Sequence, residues 1–133
     1  MKIKTIELTA AALDWAVAKC EGYTDLHKID GRMAHEPQLG MYPPRRAYGV
    51  MDLFELGFST DWSLAGPIIE REKISLEFLA GAGDGGLDVW IATRIEGSCV
   101  SEEQGTTPLI AAMKCYVASK LGETIDVPEE LTA

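Results

Sequence analysis

Two stretches of the chain combine side chains that can do chemistry on a small molecule. Tyr42-Pro43-Pro44-Arg45-Arg46-Ala47-Tyr48 sets two arginines between two tyrosines, and Thr60-Asp61-Trp62 follows shortly after. Arginine forks pair bidentately with phosphates or carboxylates, and aromatic rings stack on nucleobases. Prolines ahead of the arginines limit the freedom lost on binding. With Trp90 from a later apolar run, the candidate ligand-binding set is Tyr42, Arg45, Arg46, Tyr48, Thr60, Asp61, Trp62 and Trp90. In this scheme the arginines hold an anionic group and Trp62 or a tyrosine stacks on a base. Asp61 accepts a hydrogen bond from a base edge or ribose. The competing reading is structural: the aromatics anchor a long loop and the arginines balance acidic neighbours.

Other patterns carry less. Gly81, Gly83 and Gly86 match the dinucleotide spacing G-x-G-x-x-G, yet a strand pattern follows where the motif needs a helix N-terminus for the pyrophosphate. A hairpin loop is the expected reading, and Asp84 and Asp88 within it lack EF-hand spacing. His27 and His35 have no third ligand at metal-site spacing, so neither a metal nor a cofactor is expected. No serine stands in a G-x-S-x-G setting, and no cysteine has a recognisable base nearby in sequence. The paired carboxylates Glu70/Glu72 and Glu102/Glu103 read as solvated charges. The sequence assigns no catalytic residue.

The formal charge is −9, which repels nucleic-acid phosphates and anionic lipid and argues against general nucleic-acid or membrane-surface binding. Against that background Leu26 to Tyr48 is locally basic, with Lys28, Arg32, Arg45 and Arg46 against Asp30 and Glu36. The three cysteines Cys20, Cys99 and Cys115 form no disulfide framework and read as small reduced packing residues. Lys2 and Lys4 are not followed by an apolar run, and no stretch is long enough to span a bilayer. A cytoplasmic protein is expected.

The positioning elements follow from periodicity and punctuation. A short strand is predicted at the start, then a helix from Ala10 to about Cys20 with Thr9 as cap, Leu8 stapled to Leu13 and Gly22 as terminator. From Tyr23 to Gly49 turn signals dominate and a long loop is predicted, with a brief strand at Leu26–Ile29. Gly66 as cap and Pro67 at the first position predict a short helix through about Glu72. Ile74–Leu79 and Leu87–Ile95 alternate as a hairpin, with Ile74, Leu76 and Phe78 opposite Val89, Ile91 and Ile95. Gly97 to Gly105 reads as polar loop. Thr107, Pro108 and Gly122 bracket a second long helix. The expected class is α+β: two main helices packed on a small, mainly antiparallel sheet, with a long loop in the N-terminal half. One domain over residues 1–133 is expected, with 123–133 an acidic extended tail whose Ile125 and Val127 dock on the core.

Three blocks, E-L-T-A-A-A-L-D-W-A-V-A-K-C-E-G at 7–22, S-T-D-W-S-L-A-G-P-I-I-E-R-E at 59–72 and T-P-L-I-A-A-M-K-C-Y-V-A-S-K-L-G at 107–122, resemble the phage NinX family. The resemblance implies a phage-encoded accessory protein acting in the cytoplasm of the infected bacterium, and it carries over no catalytic residue. The leading expectation is a non-enzymatic protein that binds a small anionic, nucleotide-like ligand and serves as a counter-defence signal sponge. A homo-oligomer sharing its pocket across an exposed hairpin edge fits a chain this short. The alternatives are a modulator that masks a basic site on a host or phage protein with its acidic surface, and, last, a nucleotide hydrolase.

Overall fold

The helix-bracketing residues near the C-terminus set the centre of the molecule. The computed structural model describes residues 2–8, 10–22, 26–29, 32–35, 54–55 and 57–127. In chain order the elements are β1 (Lys2–Lys4), a 3-10 turn (Thr5–Glu7), α1 (Ala10–Cys20), β2 (Leu26–Ile29), β3 (Arg32–His35) and β4 (Phe54–Glu55). Then come α2 (Trp62–Glu72), β5 (Ser75–Leu79), a 3-10 turn (Asp84–Gly86), β6 (Val89–Glu96), β7 (Cys99–Gly105), α3 (Pro108–Leu121) and β8 (Thr124–Asp126). The fold is α+β with antiparallel sheets.

α3 starts where the sequence says. The Thr107 hydroxyl accepts from Ile110 N at 3.1 Å, Pro108 fills the first position, and Gly122 leaves the helix at φ +93°. Leu109 and every residue from Ala111 to Val117 is buried, so α3 is apolar nearly all round, as a central helix must be. It packs on β5, β6 and β7 and touches α1, α2 and β8. α1 likewise keeps its predicted bounds; Leu8 and Leu13 are both buried, and Gly22 takes φ +90°. β8 pairs with β1, which docks Ile125 and Val127 into the core.

Four expectations change. The helix placed after Gly66 begins at Trp62 instead, capped by Asp61, and Pro67 lies inside it. A carboxylate accepting from two donors in the first turn outweighs the helix-start signal of Gly66-Pro67, and Pro67 simply gives no N–H to the carbonyl of Ser63. Of the segment Gly97–Gly105, Gly97 and Ser98 form a turn and Cys99–Gly105 is a strand, β7, paired with β6 along its length. Its polarity is that of an edge strand, where charged side chains are expected. Part of the segment read as loop is a hairpin, β2 with β3, extended by β4. Finally, Phe78 pairs with Trp90 and Leu76 with Ala92, not with the odd-numbered residues. A one-residue change of register moves a whole set of side chains to the other face. Leu76, Trp90 and Ala92 therefore face the core, while Ile95 and its partner Val100 stay exposed.

The fingerprint-like glycines serve this hairpin. Gly81 and Gly86 have φ +69° and +81°, and a Cβ on Gly83 would meet Val89 Cγ1 at 2.6 Å. They allow the 81–88 loop to fold back on the start of β6. A charged cluster ties the other end of the molecule together. Glu72 holds Arg94 at 2.8 Å, Arg71 at 2.8 Å and Lys120 at 3.4 Å, and Arg71 reaches Glu21 at 2.6 Å. Glu72 is therefore a partnered joint between α2, β6 and α3 rather than a solvated charge.

Candidate functional site

The segment 59–62 is fixed from beneath. Asp14, buried in α1, accepts the Ser59 N–H at 2.8 Å. Burial raises its carboxyl to about 6, against the opposing effect of the Ser59 hydrogen bonds. Asp61 Oδ1 then accepts from Ser63 N at 2.9 Å and from the Ser63 hydroxyl at 2.6 Å. Asp61 thus organises the first turn of α2. Thr60 is exposed and donates to the Gly57 carbonyl at 3.4 Å. Trp62 is 54% exposed at the first helical position. Trp90 lies on the core side of β6 with its ring 5.2 Å from Phe78. Tyr42, Arg45, Arg46 and Tyr48 lie outside the described residues.

A cleft that the sequence did not single out forms where β6, β7 and α3 meet. Its volume is ≈ 360 Å³, at the lower end of the range of about 300–1,000 Å³ common for small-molecule sites. Ile6, Leu87, Val89 and Ile110 give it apolar walls. Lys114 lines it from the middle of α3, and Asp84, Asp88 and Gln104 add polar groups. A second cavity of ≈ 290 Å³ shares Ile6 with it and is lined also by Lys4, Glu103, Glu123 and Thr124.

Local structure accounts for the position of Lys114. It sits on the buried part of α3 with only 8% of its surface exposed, and its Nζ donates to the Ile6 carbonyl at 2.8 Å. Burial pulls the ammonium below its ordinary range, while the charge of Glu103 on β7 opposes the shift. Glu103 moves the other way: burial raises its carboxyl, and its Oε1 is buried without a hydrogen-bond partner. Among the described residues Lys114 has no carboxylate within ion-pair distance. An amine and an acid, both disfavoured in their charged forms and not paired with each other, flank concave surface. Displaced titration of that kind is a recognised mark of functional sites.

Gly105 brings the strand and helix together at this point. A Cβ there would lie 2.5 Å from Ala111 N, so β7 approaches α3 as only glycine allows. Neither Lys114 nor Glu103 stands out in sequence, because each is one charge within a helix or a polar run. The one signal that points to them is the apolar surroundings of Lys114 in α3; the alternation of 101–105 is in burial, not in residue type. Among the described residues no group of three His, Cys, Asp or Glu converges as a metal site, and no helix is long and apolar enough to cross a membrane.

These features define a small acidic α+β protein built on one buried helix, with a cleft between that helix and a sheet. The family described as Bacteriophage P22, NinX matches residues 4–120, and the chain belongs to this phage NinX family. The match takes in α1, α2 and nearly all of α3, the elements that carry the three sequence blocks. No curated protein matches the chain.

Proposed function

We propose that this chain is a phage accessory protein that binds a small anionic, nucleotide-like ligand without transforming it. The observation that carries the reading is Lys114: a buried ammonium on the wall of an apolar cleft, held by a carbonyl and by no carboxylate among the described residues. A buried charge left in this condition gains from a matching group brought by a ligand. Apolar walls suit the face of a base or a similar ring. Sequestering a nucleotide-derived signal is the role such a site would serve in an infected cell. Thr60, Asp61 and Trp62 stand as a second candidate contact, which the exposure of Trp62 supports.

The experiment is mass spectrometry of small molecules released on denaturing protein purified from infected cells, with thermal shift against a nucleotide panel. A released anionic species, or a raised melting temperature with a panel member, is the expected result. Neither a released species nor any shift would remove this reading.

A further inference from the structure

The cleft is polarised along its depth. Its inner end holds the Lys114 ammonium, with one proton on the Ile6 carbonyl. The N-terminus of α3 adds little to that positive end, because Pro108 has no N–H and the Ile110 N–H is taken by the Thr107 hydroxyl. At the mouth, Asp84 and Asp88 are exposed on the loop before β6, and Asp88 Oδ1 accepts the Gly81 N–H at 2.9 Å. Ile6 and Leu87, 53% and 65% exposed, add apolar surface to its lining. The single Lys114 cation, with the Glu103 charge acting on it and Asp84 and Asp88 on the loop, matches one anionic group. Each further phosphate adds negative charge that no second cation lining the cleft offsets among the described residues.

We propose that the cleft selects a ligand with one anionic group and, at its opposite end, adjacent N–H donors. The anionic group seats on Lys114, the body lies against Ile6 and Leu87, and the donors face Asp84 and Asp88. This rests on the ligand-binding reading above and narrows its chemistry. Among nucleobases, guanine meets the condition best. Its Watson–Crick edge sets N1–H beside the N2 amino group, and a carboxylate accepts both; the same edges of adenine and cytosine pair a donor with an acceptor. The volume of ≈ 360 Å³ suits a mononucleotide. Guanosine 5′-monophosphate is therefore the probe of choice, favoured over adenosine 5′-monophosphate by the base edge and over guanosine 5′-triphosphate by charge.

Calorimetric titration of the full chain with these three nucleotides tests the inference. The monophosphate of guanosine is expected to bind at least about tenfold more tightly than either competitor, the scale of one hydrogen bond to a charged group. Lys114→Met is expected to weaken it by a similar factor. The double variant Asp84→Asn, Asp88→Asn keeps the loop's acceptor for Gly81 and is expected to erase the preference for guanine over adenine. It lies on an exposed loop, so the test stands even where Lys114→Met does not fold. Equal affinity for the two monophosphates, tighter binding of the triphosphate, or a preference untouched by the double variant would overturn the bipolar site. In that event a different released or shifting ligand, lost in Lys114→Met, would leave the broader ligand-binding reading in place. Absence of any ligand would overturn both.

Discussion

Replacing Asp14 by Asn isolates the charge that holds the 59–62 segment. The Ser59 N–H donates to Asp14 Oδ1 at 2.8 Å, and an asparagine keeps an acceptor there while removing the ionisation. The folded carboxyl titrates at about 6 against a reference of 3.8, a displacement of 6 − 3.8 = 2.2. Because the folded pKa is the higher one, the native state binds the proton more tightly. Stability from this group is therefore fully present below pH 3.8 and declines as pH rises toward 6, where it levels off. At 1.36 kcal/mol per unit the loss amounts to about 3 kcal/mol by neutral pH. Asp14→Asn does not pay it. Urea unfolding of both proteins across this range, read as a difference, cancels the other titrating groups. The variant is expected to match the wild type at acidic pH and to gain up to about 3 kcal/mol near pH 7. A variant less stable than wild type at neutral pH, or a difference that does not change with pH, would refute the buried-carboxylate argument.

The remaining predictions concern packing, caps and thiols. Gly105→Ala places a Cβ 2.5 Å from Ala111 N and must push β7 from α3; a loss of about 1–3 kcal/mol is expected in denaturant unfolding, as for other overpacked sites. Thr107→Ala removes the cap on Ile110 N and is expected to cost about 1 kcal/mol, whereas Thr107→Ser restores most of it, both read from melting curves. In maleimide labelling followed by intact mass, exposed Cys99 is expected to react first. Burial raises the thiols of Cys20 to about 12 and Cys115 to about 11, so both are expected to label only slowly until the protein is unfolded.

Much of the frame was legible because local signals and tertiary demands agree. Thr107-Pro108 and Gly122 bound α3 in sequence and in space, and α1 runs over the predicted residues. Disagreement arose where one signal carried two meanings. Gly66-Pro67 reads as a helix start, yet the hydrogen bonds from Ser63 to Asp61 set the start a turn earlier. The polar run Cys99–Gly105 reads as loop because it does not alternate, although Gly97-Ser98 makes the two-residue turn that returns it along β6 as an edge strand. Missing that strand also hid the cleft. Glu103 looked solvated because its burial comes from α3, which is contiguous with it only through the fold. Lys114 was hidden for the same reason: a lysine in a helix is ordinarily exposed, and only packing of α3 against the sheet and the 3-10 turn at Thr5–Glu7 encloses it. Asp61, expected from the sequence as a ligand contact, has a structural duty as the cap of α2, which begins at Trp62.

The central claim is that a small anionic ligand occupies the cleft beside Lys114. Methyl NMR titration of the labelled full chain with a mixture of ribonucleoside monophosphates tests it most directly. Saturable shifts centred on Ile6, Leu87, Val89 and Ile110, the four apolar walls of the cleft, are the predicted result. Methyls there that stay unmoved at saturating nucleotide, or shifts centred on residues away from the cleft, would contradict it.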